Sequence, residues 1–190
     1  MKARLKDIAD ATGFSVNTVS HALRDKPDIS PATKALIRKV AEELHYIPNF
    51  QARGIREGRS AIVAVILPDI INPHFSIVFR GIEEYFRACG ITPLFMNTSE
   101  NAGDELRAVQ ISIGQSADGV ILCPTQASDE PIRLLEQSHI PFVLIGRHFD
   151  GDCDTDYVVC DDANGAYLAA RHLIGDGHRD IACVRVNPLI

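Results

Sequence analysis

The sequence predicts an α/β protein in two parts, an all-α module carrying a helix-turn-helix and then a doubly wound parallel sheet. Three observations carry this. The first 46 residues hold three amphipathic helical patterns with cap residues. From residue 61 short apolar runs alternate with helical patterns, as strands joined by crossover helices do. The charge also changes sign: residues 1–60 hold 11 Lys and Arg against 7 Asp and Glu, whereas residues 61–190 hold 8 Arg, no Lys, and 18 Asp and Glu, a balance of +4 against −10. A basic small module joined to an acidic larger one suits a polyanionic partner for the first part.

The helices of the first part follow in order. In LKDIADATG, Leu5, Ile8 and Ala9 share a face and Gly13 stops the helix. Ser15 is a good N-cap for a second helix beginning at Val16. There Val16, Val19 and Leu23 recur at i, i+3 and i+7, the spacing of one buried face, with Ala22 beside them. Asn17, Ser20, His21 and Arg24 fall opposite, and all can hydrogen-bond outward. DKPDIS is a polar loop, after which Ser30 caps a third helix with Pro31 at its first position, where a missing N–H costs nothing. Leu36, Val40 and Leu44 recur every four residues with Ile37 and Ala41 beside them, an amphipathic stripe. A short turn containing Gly between two short helices is the helix-turn-helix signature.

The next stretch, IPNFQARGIREGRS, predicts a short fourth helix: Pro48 ends the third, Asn49 can cap a new one and Gly58 can end it. Helices shorter than about 12 residues are marginal in water, so this one needs something to pack against. Gly54 within it costs about 1 kcal/mol more relative to Ala. From residue 61, AIVAVILP is a continuous apolar run of the kind a parallel sheet covers on both faces. Helix 74–89, strand TPLFMN, helix 102–115, strand GVILC and helix 130–138 follow. Strands PFVLIG and YVVCDD, helix 163–174 and a last strand DIACVRV complete the pattern.

Several function classes are excluded at this level. Hydrophobic content of 46% and charged content of 23% are ordinary for a soluble globular protein. No apolar stretch nears the ~20 residues of a membrane span, and MKARLKDIAD has no signal-peptide run, so a cytoplasmic chain with no membrane partner is expected. The five cysteines are an odd number without CxxC, which predicts free, mostly buried thiols and no metal. The first strand is followed by DIINPHF in place of GxGxxG, and no P-loop, GxSxG or HExxH occurs, so neither an enzyme nor a cofactor is expected. DGDCDTD alternates Asp like a calcium loop but lacks its Gly at position six and Glu at position twelve. A small-molecule (sugar) binding protein remains the rival to a DNA-binding one.

The motifs LKDIADATGFSVNTVSHAL, AEELHYIPN, QARGIREGRS, IVAVILPDIINPHF, ADGVILCP, IPFVLIGR and HLIGDGHRDIA follow one another over essentially the whole chain. Together they resemble the lactose/galactose/purine-repressor family of bacterial transcriptional regulators. The resemblance implies a helix-turn-helix headpiece at 1–47, a hinge helix at 48–60 and the first lobe of a periplasmic-binding-protein-like core at 61–161. It implies the start of a second lobe at 162–190. Family members continue well beyond this point, so the second lobe is expected to be truncated and half of the effector cleft absent. Its lone outer elements are then expected to expose Leu168, Leu173, Ile181 and Val184, and to make the chain less stable than a complete homologue. The implied function is a regulator, typically a repressor, that binds a palindromic operator as a homodimer under control of a small-molecule effector, sugar or nucleoside-like. The alternative is a truncated or degenerate regulator without effector response.

The resemblance makes Val16, Asn17 and His21 the specificity determinants, on a helix lying in the major groove. Asn17 can contact adenine bidentately, His21 can donate to guanine N7 or O6, and Val16 can touch a thymine methyl. Thr18, Ser20 and Arg24 suit phosphates, which position without specifying, and Lys6, Ser15 and Asn49 join the same interface. The resemblance places Ile55 as an apolar wedge between central base pairs, with Arg53 and Arg56 serving phosphates or the minor groove. It places Asn72, His74 and Phe75 toward the effector. Arg147 and Asp161, at two other strand ends, can hydrogen-bond a polar effector.

Overall fold

A computed structural model describes residues 3–47, 59–149 and 155–184 of the chain. The chain divides into two compact units, Met1–Ala52 and Arg53–Ile190.

The first unit has three helices, α1 (Leu5–Thr12), α2 (Val16–Leu23) and α3 (Pro31–Glu43). Their ends form as the local chemistry dictates. Gly13 closes α1 at φ 74°, a left-handed conformation that side chains resist, and donates its N–H to the Ala9 carbonyl. The Ser15 and Ser30 hydroxyls accept the Thr18 and Thr33 N–H groups at 3.1 and 3.2 Å, and Pro31 opens α3. Ile8, Ala9, Val19, Ala22, Ile37 and Ala41 make the core, flanked by Leu5, Phe14, Leu23, Ile29, Val40 and Tyr46. The stripe of α3 is turned from its expected setting. Ile37 and Ala41 are buried while Leu36 and Leu44 are exposed, because α1 and α2 meet α3 about 100° round from Leu36.

The second unit holds a five-stranded, all-parallel sheet in the order β2-β1-β3-β4-β5. Its strands are β1 (Ile62–Leu67), β2 (Thr92–Asn97), β3 (Gly119–Leu122), β4 (Phe142–Ile145) and β5 (Tyr157–Val158). Its helices are α4 (Pro73–Ala88), α5 (Ala102–Gly114), α6 (Glu130–Ser138) and α7 (Asp162–Gly175). The strand order reverses beside β1, the doubly wound arrangement the sequence predicts. β1 explains itself: alternate residues feed opposite cores. Ala64 and Ile66 join Val109, Ile132 and Leu135 on the face covered by α5 and α6. Val65 and Leu67 join Cys123, Phe75, Phe79 and Ile82 on the face covered by α4. At the amino end of the sheet, Asp118 accepts the Ser60 and Ala61 N–H groups at 2.7 and 2.8 Å, pinning the entry to β1 beside β3.

Two expectations fail here. Residues 180–184 of DIACVRV form no strand; a strand persists only where neighbours accept its hydrogen bonds, and Ile181 and Val184 stand exposed. The cysteines are not mostly buried either. Cys123 is, and burial pushes its thiol up to about 11, but Cys89, Cys160 and Cys183 are exposed, Cys89 as the cap of α4. The exposed apolar side chains expected at Leu168, Leu173, Ile181 and Val184 are found, and every residue from Asp161 to Val184 is exposed.

One buried acid predicts a pH effect. Glu105 is 1% exposed and accepts the Thr125 N–H at 2.6 Å. Desolvation raises its carboxyl above the usual range, so ionising it costs the folded chain more than the unfolded one. Its contribution to stability is therefore full below the ordinary carboxylate pKa and declines as pH rises through the raised value. Glu105→Gln keeps an acceptor for Thr125 and removes the charge. It is expected to leave the melting temperature unchanged near about pH 4 and to raise it near about pH 7. Equal melting shifts at both would contradict this.

Candidate nucleic-acid interface

The second helix of the first unit presents its polar residues away from a closed core. Val19 and Ala22 are fully buried between α1 and α3, which fixes the roll of α2. That roll leaves Asn17 exposed and Thr18, His21 and Arg24 half-buried. Val16 is 44% exposed at the helix start, clear of the core that its i, i+3, i+7 spacing suggested. Ser15 caps the helix and shares a further hydrogen bond with the Thr18 hydroxyl at 2.9 Å, so both are held in place. Lys6 is exposed on α1.

Ser20 corrects the expectation. It is 9% exposed and sits with the core face. Successive helical residues turn by 100°, so Ser20 lies at the margin of that face, about 60° from Leu23, which flanks the core. Its carbonyl accepts the Arg24 Nε–H at 3.1 Å, which ties that guanidinium back along the helix. The predicted outward row thus reduces to Asn17, His21 and Arg24, with half-buried Thr18 beside it and Val16 at its edge.

The loop after α2 adds groups that sequence reasoning passed over. His21 Nδ1 lies 2.6 Å from the Asp28 carboxylate. Asp25 pairs with Lys34 and Arg38 of α3 at 3.0 and 2.9 Å, and those cations hold its carboxyl below the usual range, Lys34 foremost. The signal for the first pair is faint in sequence, since Asp28 lies in the loop beyond the end of α2, where helical spacing no longer applies.

Asn49, Arg53, Ile55 and Arg56, the expected hinge contacts, lie outside the described residues. Asp150, Gly151, Asp152, Cys153 and Asp154 of the calcium-like motif lie outside them too.

The expected effector residues occupy the carboxyl edge of the sheet, after β1, β4 and β5. Several are engaged within the fold. Asn72 caps α4 by accepting the His74 N–H at 3.0 Å. Asp161 caps α7 by accepting the Asn164 N–H at 3.0 Å. Both Arg147 Nη groups donate to Glu100 at 2.7 Å, and one also reaches the Pro124 carbonyl. Phe75 packs on the β1 core, and His74 is exposed with its ring edge-on to Phe75 at 5.1 Å. Of these five, His74 and Phe75 meet ring to ring. Glu100, Glu105 and Thr125, at the same edge, were missed, because their pairings span 20 and 47 residues.

Comparison with known proteins matches this two-part chain to two families in succession. Residues 4–49 match the family described as "Bacterial regulatory proteins, lacI family". Residues 60–188 match "Periplasmic binding proteins and sugar binding domain of LacI family". The HTH-type transcriptional regulator DegA of Bacillus subtilis is 31% identical over 97% of this chain and 55% of its own length. A LacI-family transcriptional regulator from Silicibacter pomeroyi has a similar structure, with TM-score 0.78 and 29% identity over 93% of this chain and 53% of that one. The lac repressor dimer bound to operator and the anti-inducer ONPF shares the fold, with TM-score 0.79 at 21% identity over 96% of this chain and 55% of that one. The chain spans about half the length of the curated relatives it matches.

Proposed function

The chain belongs to the lacI family of bacterial regulatory proteins, and from that premise we propose that it is a sequence-specific DNA-binding transcriptional regulator, typically a repressor. The observation that supports this best is the outward row of α2. Asn17, His21 and Val16 stand clear of a core that fixes their helix, on an element narrow enough for the major groove. Thr18, Arg24, Ser15 and Lys6 then meet phosphates beside it. Two copies present two such helices to the half-sites of a palindrome, and the segment 48–60, with Asn49, Arg53, Ile55 and Arg56, joins each headpiece to the core 61–161. Residues 162 onward begin a second lobe, and a cytoplasmic setting and the absence of catalysis go with this role.

A sugar or nucleoside-like effector belongs to the same proposal through the match at 60–188. His74 is exposed at the sheet edge, whereas Asn72, Arg147 and Asp161 first serve the fold.

The test is binding of the folded chain to a randomised pool of duplexes at low ionic strength, followed by substitution at His21. His21→Ala is expected to relax selection at one base pair by about 1–3 kcal/mol and to leave the other positions as they were. Uniform weakening on all sequences would make His21 a phosphate contact. Indifference of the folded chain to every duplex would end the regulatory reading.

A further inference from the structure

An imidazole has two nitrogens, and which one carries the proton decides what it offers a base. In this structure His21, in the last turn of α2, has one of them taken. Its Nδ1 lies 2.6 Å from Asp28 Oδ2. Asp28 is well held for this. The Lys26 N–H returns to the His21 carbonyl at 3.1 Å, Pro27 restricts the backbone next to Asp28, and Ile29 packs against the headpiece core on its far side. The hydrogen bond from His21 is the main cause holding the Asp28 carboxyl below its usual range. The group is thus a carboxylate, which only accepts. The hydrogen between the two atoms therefore belongs to Nδ1. A neutral ring has no second N–H, so Nε2 carries a bare lone pair.

We propose that Asp28 is a positioning residue for base selection: by holding His21 as its Nδ1–H tautomer, it makes the neutral ring read the DNA through Nε2 as an acceptor. In the major groove only adenine N6 and cytosine N4 offer a donor, whereas guanine shows the acceptors N7 and O6. Neutral His21 thus selects an exocyclic amine and disfavours guanine, the reverse of the donor role its residue type suggests. This rests on the DNA-binding reading and specifies its chemistry at one base pair.

The test uses the 190-residue chain labelled with nitrogen-15 in histidine, at about pH 8.5, above the ordinary histidine range. Two-bond proton–nitrogen correlation distinguishes the tautomers, and the His21 signals are those lost in His21→Ala. The expected signature is a protonated Nδ1 and a bare Nε2 in the wild type, reverting to Nε2–H in Asp28→Ala. In parallel, duplexes carrying each of the four bases at the His21 position are competed for binding. The wild type is expected to favour adenine or cytosine over guanine, and Asp28→Ala to lose that preference by about tenfold or more. An Nε2–H signature in the wild type, or a wild-type preference for guanine, overturns the proposal without any variant being made. So does an Asp28→Ala variant that weakens all four duplexes equally, since Asp28 would then only brace the loop. Specific DNA binding in any of those outcomes leaves the regulatory reading standing. Absence of any base preference in a folded wild type removes that reading, and this inference with it.

Discussion

Ile37→Ala is expected to unfold the headpiece and so abolish operator binding while the parallel sheet survives. Ile37 is fully buried at the point where α3 meets Ile8 of α1 and Val19 and Ala22 of α2. Truncating such a side chain costs about 2–5 kcal/mol, from lost transfer free energy and the cavity left behind. A small single core of this kind rarely supplies more than about 3–5 kcal/mol in total. The loss is therefore comparable with everything holding the unit together. The helices cannot persist alone, since α1 and α2 have 8 residues each and isolated helices below about 12 residues are marginal. The check is a thermal melt followed by circular dichroism, with duplex binding measured on the same sample. Ile37→Val, at about 0.5–1.5 kcal/mol, is expected to lower the melting temperature yet keep binding. An Ile37→Ala variant that binds normally and melts with the wild type would show that the core is not the support of α2.

Binding is also expected to fall steeply with salt, linearly on logarithmic axes. Each phosphate neutralised releases counterions, so about six such contacts across two headpieces cost roughly 10³ in affinity between about 50 and about 200 mM salt. The sequence nominates Lys2, Lys6, Arg24, Arg53 and Arg56 for these contacts. The structure supports leaving Lys34 and Arg38 out of that set. Lys34 and Arg38 spend their charge on Asp25, whereas Lys6 is exposed on α1 and joins no ion pair among the described residues. Lys6→Gln should reduce the slope, and Lys34→Gln should change it little. A flat titration would leave the basic headpiece without a polyanion and remove the main electrostatic argument for DNA.

Much of the fold was legible because its signals are short-ranged. Gly13, Ser15, Ser30 and Pro31 act on backbone groups within four residues, so their roles follow from chemistry and spacing alone. The apolar run at 62–67 reads as a buried parallel strand because both faces of such a sheet are covered. Margins were less legible. Ser20 and Leu36 lie at the edges of their helical faces, where a rotation of some tens of degrees decides between core and solvent. DIACVRV has a strand's composition, but its described residues have no neighbour to complete the ladder.

By itself, then, the sequence determined the two-part α/β architecture, the ends of the headpiece helices and the outward placement of Asn17 and His21, since each depends on periodicity or on a bond between near neighbours. The tertiary structure alone decided that Ser20 turns inward, that Arg147 is spent on Glu100 and that Asp28 holds the ring of His21. Those outcomes depend on which distant surface a side chain meets once the chain closes on itself, and no local period encodes that meeting.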